Sequence, residues 1–194
     1  SKATWQNPYR WNRAAQQAGR RVRVFTCSMS DFFHAGADRW RNEAWAVIRD
    51  CQSIDWLVLT KRADRIVDHL PADWGDGFPN VWLGVTVESR HHLGRVELLS
   101  RIPAAVRFVS AEPLLQAIDF GPHLDSLDWI ITGCDKASQR KRRRMDLDWV
   151  RSIRDQCAAA RVPHFFKQYC VGNQVQTDGL LDGEVCQAWP CSVT

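Results

Sequence analysis

Most of the side chains able to do chemistry stand where apolar, β-branched runs stop. In AVRFVSAEPLL (105–115), Val106, Phe108 and Val109 suit a buried pleated surface. Pro113 cannot extend a ladder, so Glu112 is left at the strand's end. The same design leaves Ser28, Ser30 and Asp31 after VRVFTC (22–27), Lys61 after IDWLVL (54–59) and Glu88 after VWLGVTV (81–87). It leaves Asp135 after LDWIIT (127–132), and Lys167 with Gln168 after the run 163–166. Parallel strands deliver all these residues to one edge, where α/β proteins place their sites. Carboxylates and ammonium groups in a partly desolvated mouth shift one another's pKa values, which suits acid–base work or ligand capture. Lys61, Glu88 and Glu112 are the candidates for catalysis. Lys61 and Lys167 suit an anionic ligand group, and Glu88 and Glu112 suit an amine or a ribose hydroxyl. A single charge at a strand end needs no function, but both signs recurring at equivalent positions argue for one.

Helical patterns supply the scaffold. Asn7, Pro8 and Gly19 predict a helix over 8–18, with proline at its first position and glycine beyond its end. Asp38 is expected to cap a helix carrying Trp40, Ala44, Trp45, Val47, Ile48 and Cys51 on one stripe. A short helix with Ile66, Val67 and Leu70 stops before Pro71, and Leu93, Val96, Leu99 and Ile102 mark another. Asp146 caps the clearest one, through Ala160, with Trp149, Ile153 and Cys157 on one face. Strand runs apolar on both faces, alternating with helices, predict an α/β fold with a parallel sheet. SIDWLVLT (53–60) and SLDWIITG (126–133) nearly repeat, consistent with duplicated units or with two equivalent packing sites. Residues 1–171 form the expected domain, and 172–194 a tail or short hairpin turning at Asp182-Gly183.

Composition narrows the functional classes. The 194 residues are 45% hydrophobic and 25% charged, enough for one buried core. No run approaches the roughly 18–20 apolar residues of a membrane span, and no signal peptide is evident, so a cytoplasmic protein is expected. Seven cysteines include no CxxC pair, so no metal site is expected and most read as reduced core thiols, Cys27 included. Arg140, Lys141, Arg142, Arg143 and Arg144 alone outweigh the net charge of +4, so basicity is one loop, either solvated or touching phosphate. Of ten tryptophans, Trp5, Trp11, Trp40, Trp45 and Trp149 fall in helical patterns and read as packing. GxGxxG, Walker, HExxH and GxSxG motifs are absent.

CSMSD (27–31), LTKR (59–62), NVWLGVTVE (80–88), FVSAEPLL (108–115), DWVRSIRDQCAAARVPHFFKQ (148–168) and LLDG (180–183) together resemble an uncharacterised phage-protein family of radical S-adenosylmethionine (SAM)-like proteins. The resemblance implies a partial (β/α) barrel of about six parallel strands with outer helices. Its ligand site at the strand ends would use Ser28, Ser30, Asp31, Lys61, Glu88, Glu112, Lys167 and Gln168 to hold SAM or a substrate. Full-length members look as though they carry a CxxxCxxC loop upstream of the part matched here, so a [4Fe–4S] cluster and radical chemistry are not expected of this chain. GCDKASQRKRRRM (133–145) also departs from the family's Gly-Gly-Glu-Ser segment. The leading expectation is a cluster-less body that keeps part of a SAM or other small-molecule pocket. The alternative is a non-catalytic module whose 140–144 loop binds nucleic acid or an acidic partner. Open barrel edges would allow a homodimer.

Overall fold

β-branched and aromatic runs separated by helical segments form parallel strands in sequence order. The computed structural model describes residues 2–27, 30–137 and 141–190. The parallel strands are β1 (Val22–Phe25), β2 (Ile54–Thr60), β3 (Val81–Thr86), β4 (Val106–Ala111), β5 (Trp129–Gly133) and β6 (His164–Val171). The antiparallel β7 (Gln174–Gln176) follows on the edge beyond β6. Strict sequence order means that each right-handed crossover lands on the same face. The sheet curls into a half-barrel, with helices on its convex side.

Period-two alternation divides two apolar layers. Ile54, Trp56 and Val58 of β2, Val81, Leu83 and Val85 of β3, and Ile130 of β5 join the convex core. There they meet Trp45, Val47 and Ile48 of α2 (Asp38–Asp50), Val96 and Leu99 of α3 (Gly94–Ser100), and Val150, Ile153 and Cys157 of α4 (Leu147–Ala160). Leu57, Trp82, Val106, Phe108, Trp129 and Ile131 form a second cluster inside the curl. Gly84 makes room there: a Cβ on it would lie 2.3 Å from the buried Phe108 ring. The strands are thus apolar on both faces, as a parallel sheet requires.

Several local expectations are corrected. The first helix, α1, runs Lys2–Gln17 and takes Pro8 inside it. Trp5 and Tyr9 pack on the convex core and Ala15 is buried, so the packed stripe crosses the proline and carries the helix past it. Its C-terminus follows the predicted glycine chemistry: Gly19 has φ +58, and the amides of Gly19 and Arg20 donate to Gln16 O and Ala15 O. Asp38 is the first residue of α2 and not its cap, and it accepts bonds from Arg41 and Arg65 instead. Residues 63–69 form two 3₁₀ turns in place of one helix. Trp11 and Trp40 are 45% and 44% exposed, and the Arg39 guanidinium covers the Trp40 ring at 3.9 Å. Asp146 caps α4 as expected, accepting from the Asp148 amide at 2.9 Å.

The C-terminal segment is fastened to the barrel. β8 (Leu180–Leu181) and β9 (Glu184–Val185) form the hairpin turning at Asp182-Gly183, both with positive φ. Arg151 and Arg154 of α4 hold Asp182 at 2.7 and 2.9 Å, and the Phe166 amide donates to Cys186 O at 2.6 Å. Among the described residues the sheet does not close on itself, and its edges β1 and β7 are only four and three residues long, which limits the strand-pairing surface offered to a second copy. No helix among the described residues is long and apolar enough to cross a membrane.

Candidate functional site

Because the six strands are parallel, their C-terminal residues assemble at one mouth of the curl. A cleft of about 590 Å³ there is lined by Phe25, Ser30, Asp31, Thr60, Lys61, Arg62, Thr86, Ser110, Glu112 and Lys167, among others. A second hollow of about 430 Å³ adjoins it inside the curl, walled by Phe25, Trp129, Phe165 and Trp189, with Lys136, Lys167 and Gln168 at its rim. Aromatic walls and a few converging polar groups are the usual make-up of a small-molecule site.

Two lysine–carboxylate pairs dominate the mouth. Lys61 bonds Glu88, whose other oxygen accepts from Arg95 Nη1 at 3.0 Å and lies 3.4 Å from His92 Nδ1. Burial pushes the Glu88 carboxyl up, but the Lys61 hydrogen bond and the Lys61 and Arg95 charges outweigh it and hold it below the usual range. Lys167 Nζ bonds both oxygens of Glu112, at 3.2 and 2.9 Å, and Gln168 Nε2 donates to Glu112 Oε1 at 3.1 Å. The lysine side chains are 52% and 41% exposed, and their carboxylate partners 9% and 17%. Glu112 is thus a largely buried part of the cleft's lining, whereas Glu88 lies behind Lys61 and is not among the lining residues; the lysines are the solvent-facing members of both pairs. The Glu112-Pro113 bond is cis. Gly133 allows the close packing beneath: a Cβ there would meet Gln168 Cγ at 3.1 Å and Glu112 Cγ at 3.3 Å.

Asp31 reaches the same mouth but is already saturated. Its Oδ1 accepts from the Phe33 amide and Thr60 Oγ1, at 2.9 and 2.7 Å, and its Oδ2 from the Lys61 amide and Arg62 Nη1, at 2.9 and 3.0 Å. Burial raises its pKa, and these four donors more than reverse that. The geometry thus gives Asp31 the role of tying the loop after β1 to the end of β2. Asp31→Ala is expected to lower stability by about 2–3 kcal/mol, because four donors lose a partly buried partner. Asp31→Asn should lose roughly half as much. Urea midpoints at neutral pH check both values, and an Asp31→Ala loss below about 0.5 kcal/mol would remove that role.

Ser30 lines the cleft, whereas Ser28 lies outside the described residues. Cys27, expected to be buried, is exposed at φ 52. Cys170 and Cys186 are half-buried, and only Cys51, Cys134 and Cys157 among the described cysteines are core thiols. Asp135 accepts from Arg143 Nε at 2.7 Å and from the Ala137 amide at 2.9 Å. In the basic loop, Arg140 lies outside the described residues. Arg142 donates to the carbonyls of Ala137 and Gly172, Arg143 is paired with Asp135, and Lys141 and Arg144 are exposed. Arg62, Thr86, Arg95, Ser110, Lys136 and Phe25 belong to the site or brace it without having been singled out. For Arg62 and Ser110 the signal was present, in the TKR and VSAEP strand ends. Among the described residues, no three His, Cys, Asp or Glu side chains are grouped to hold a metal.

The family model for the protein of unknown function DUF5131 matches residues 1–190. The chain belongs to the DUF5131 family. No curated protein and no solved structure matches it. The DUF5131 match spans every strand that contributes to the mouth.

Proposed function

We propose that the mouth of the half-barrel binds a small zwitterion with an aromatic portion, and that SAM is the member of this class to test first. The supporting observation is the pair of Lys–Glu couples, Lys61–Glu88 and Lys167–Glu112, at one mouth beside an aromatic hollow. A ligand ammonium can replace a lysine at a buried carboxylate while the ligand carboxylate takes the displaced lysine. Such an exchange conserves charge pairing, so little new desolvation cost arises. A planar ring would then stack on Phe25 and Trp189, the exposed rings of that hollow. The resemblance to radical SAM-like proteins nominates SAM within this class, and binding of SAM requires no cluster on this chain.

Calorimetric titration with SAM tests the reading. Binding in the micromolar range is expected, with Glu112→Gln weakening it about tenfold, or roughly 1.4 kcal/mol, because the charge and one of the two acceptor oxygens are lost while the shape is kept. Absence of heat at high-micromolar SAM would end the SAM assignment. Binding unchanged by Glu112→Gln would move the site elsewhere.

A further inference from the structure

Two thiols meet where β5 and β6 end. Cys134 follows β5, Cys170 lies on β6, and their Sγ atoms are 3.0 Å apart. Gln168 holds the corner: its carbonyl accepts the Cys134 amide at 3.1 Å and its Nε2 donates to Cys134 O at 3.0 Å. A disulfide has its sulfurs about 2.05 Å apart, so closing the gap needs a movement of roughly 1 Å. Cys134 is buried and Cys170 half-buried, so a reagent in solution meets Cys170 first. A cavity of about 430 Å³ opens on the pair and is lined by Arg142, Arg143, Arg144 and Tyr169. Arg142 is anchored through carbonyl groups, which hold the guanidinium without cancelling its charge. The entrance is therefore cationic.

We propose that Cys134 and Cys170 form a dithiol modification site that exchanges with an anionic peptide disulfide of the glutathione disulfide class, admitted past Arg142 and Arg144. The Cys170 thiolate attacks one sulfur of the reagent, forming a mixed disulfide and releasing one glutathione thiolate. Cys134 then attacks Cys170 Sγ, the mixed S–S bond breaks, and the second glutathione leaves. The two protons from the protein thiols pass to the two departing thiolates, so one disulfide is reduced as one forms. Burial, followed by the Cys170 hydrogen bond, pushes the Cys134 thiol up, which suits it to resolve and not to initiate. The bond would clamp β5 to β6 behind Gln168, the residue that also holds Glu112. This inference does not depend on what the mouth binds.

The test incubates the intact protein with oxidised glutathione, in the absence of SAM, then alkylates it under denaturing conditions and maps its peptides by mass. A Cys134–Cys170 linked pair is expected, with Cys51 and Cys157 fully alkylated. Thermal melting of the oxidised protein should rise by on the order of 5 °C. Arg142→Ser with Arg144→Ser should slow the reaction with oxidised glutathione about tenfold while leaving the rate with neutral hydroxyethyl disulfide unchanged. Cys134 and Cys170 both remaining alkylatable in excess oxidised glutathione, or a glutathione adduct persisting on Cys170, would overturn the dithiol site. Equal slowing of both reagents would overturn the cationic entrance. The first two readouts use the wild-type chain, so they stand even where a variant folds poorly.

Discussion

Trp129→Ala is expected to cost about 3–5 kcal/mol, the largest loss from a single truncation inside the curl. Trp129 is 1% exposed and meets Trp82, Phe108 and Phe165 at centroid distances of 5.9, 5.7 and 5.8 Å, and Trp189 at 4.7 Å. Its Nε1 donates to Ala188 O at 2.9 Å, so the ring also fastens the C-terminal segment to β5. Alanine would leave a cavity that the buried rings of Trp82 and Phe108 cannot collapse to fill, and would deprive that carbonyl of its donor. Trp129→Phe should lose less, since most of the ring contact survives. Urea denaturation reads the total. Hydrogen exchange supplies the specific signature, with amides near 186–190 opening first while those of α2 stay protected. A loss below about 1 kcal/mol would mean that the concave cluster does not stabilise the half-barrel.

How far the sequence led depends on the range of the interaction involved. Strand ends were legible because an apolar run that halts at Glu88, Glu112 or Lys61 is a local pattern. Parallel topology followed from runs apolar on both sides and separated by helix-length crossovers. Asp182-Gly183 stated its own turn. What failed was set by distant packing. Pro8 has the local preference of a first helical residue, but Trp5 on its other side packs on the core and extends the helix through it. Asp31 read as an available ligand group, yet its partners Thr60, Lys61 and Arg62 arrive from a strand some thirty residues away. The helical periodicity of Trp11 and Trp40 could not distinguish a buried face from a half-exposed one, which at Trp40 lies against the Arg39 guanidinium. Cys134 and Cys170 are separated by 36 positions, so only the β5–β6 pairing could place their sulfurs together.

Acidification from pH 6.5 to 4 is expected to remove roughly 3 kcal/mol of stability through His164. His164 starts β6 on the convex side, is 6% exposed, and has Nε2 2.9 Å from Thr132 Oγ1. Burial, followed by the positive charge of Arg154, lowers its pKa from 6.5 to about 4. The folded state therefore favours neutral imidazole. Between the two values the unfolded chain binds a proton that the folded chain refuses, so stability is complete above 6.5 and falls as pH drops toward 4. Glu88 and Asp31, both held below the usual carboxylate range, add their losses as pH falls through their ordinary values of 4.5 and 3.8, so the range above pH 4.5 reports chiefly on His164. The two windows are separable. His164→Gln keeps a polar group able to reach Thr132 but cannot take up a proton, so it should cost about 1 kcal/mol at pH 7.5 and flatten the dependence between pH 6.5 and 4.5. Urea midpoints measured across that range decide the matter: a wild-type slope that survives His164→Gln would assign the acid sensitivity to some other group.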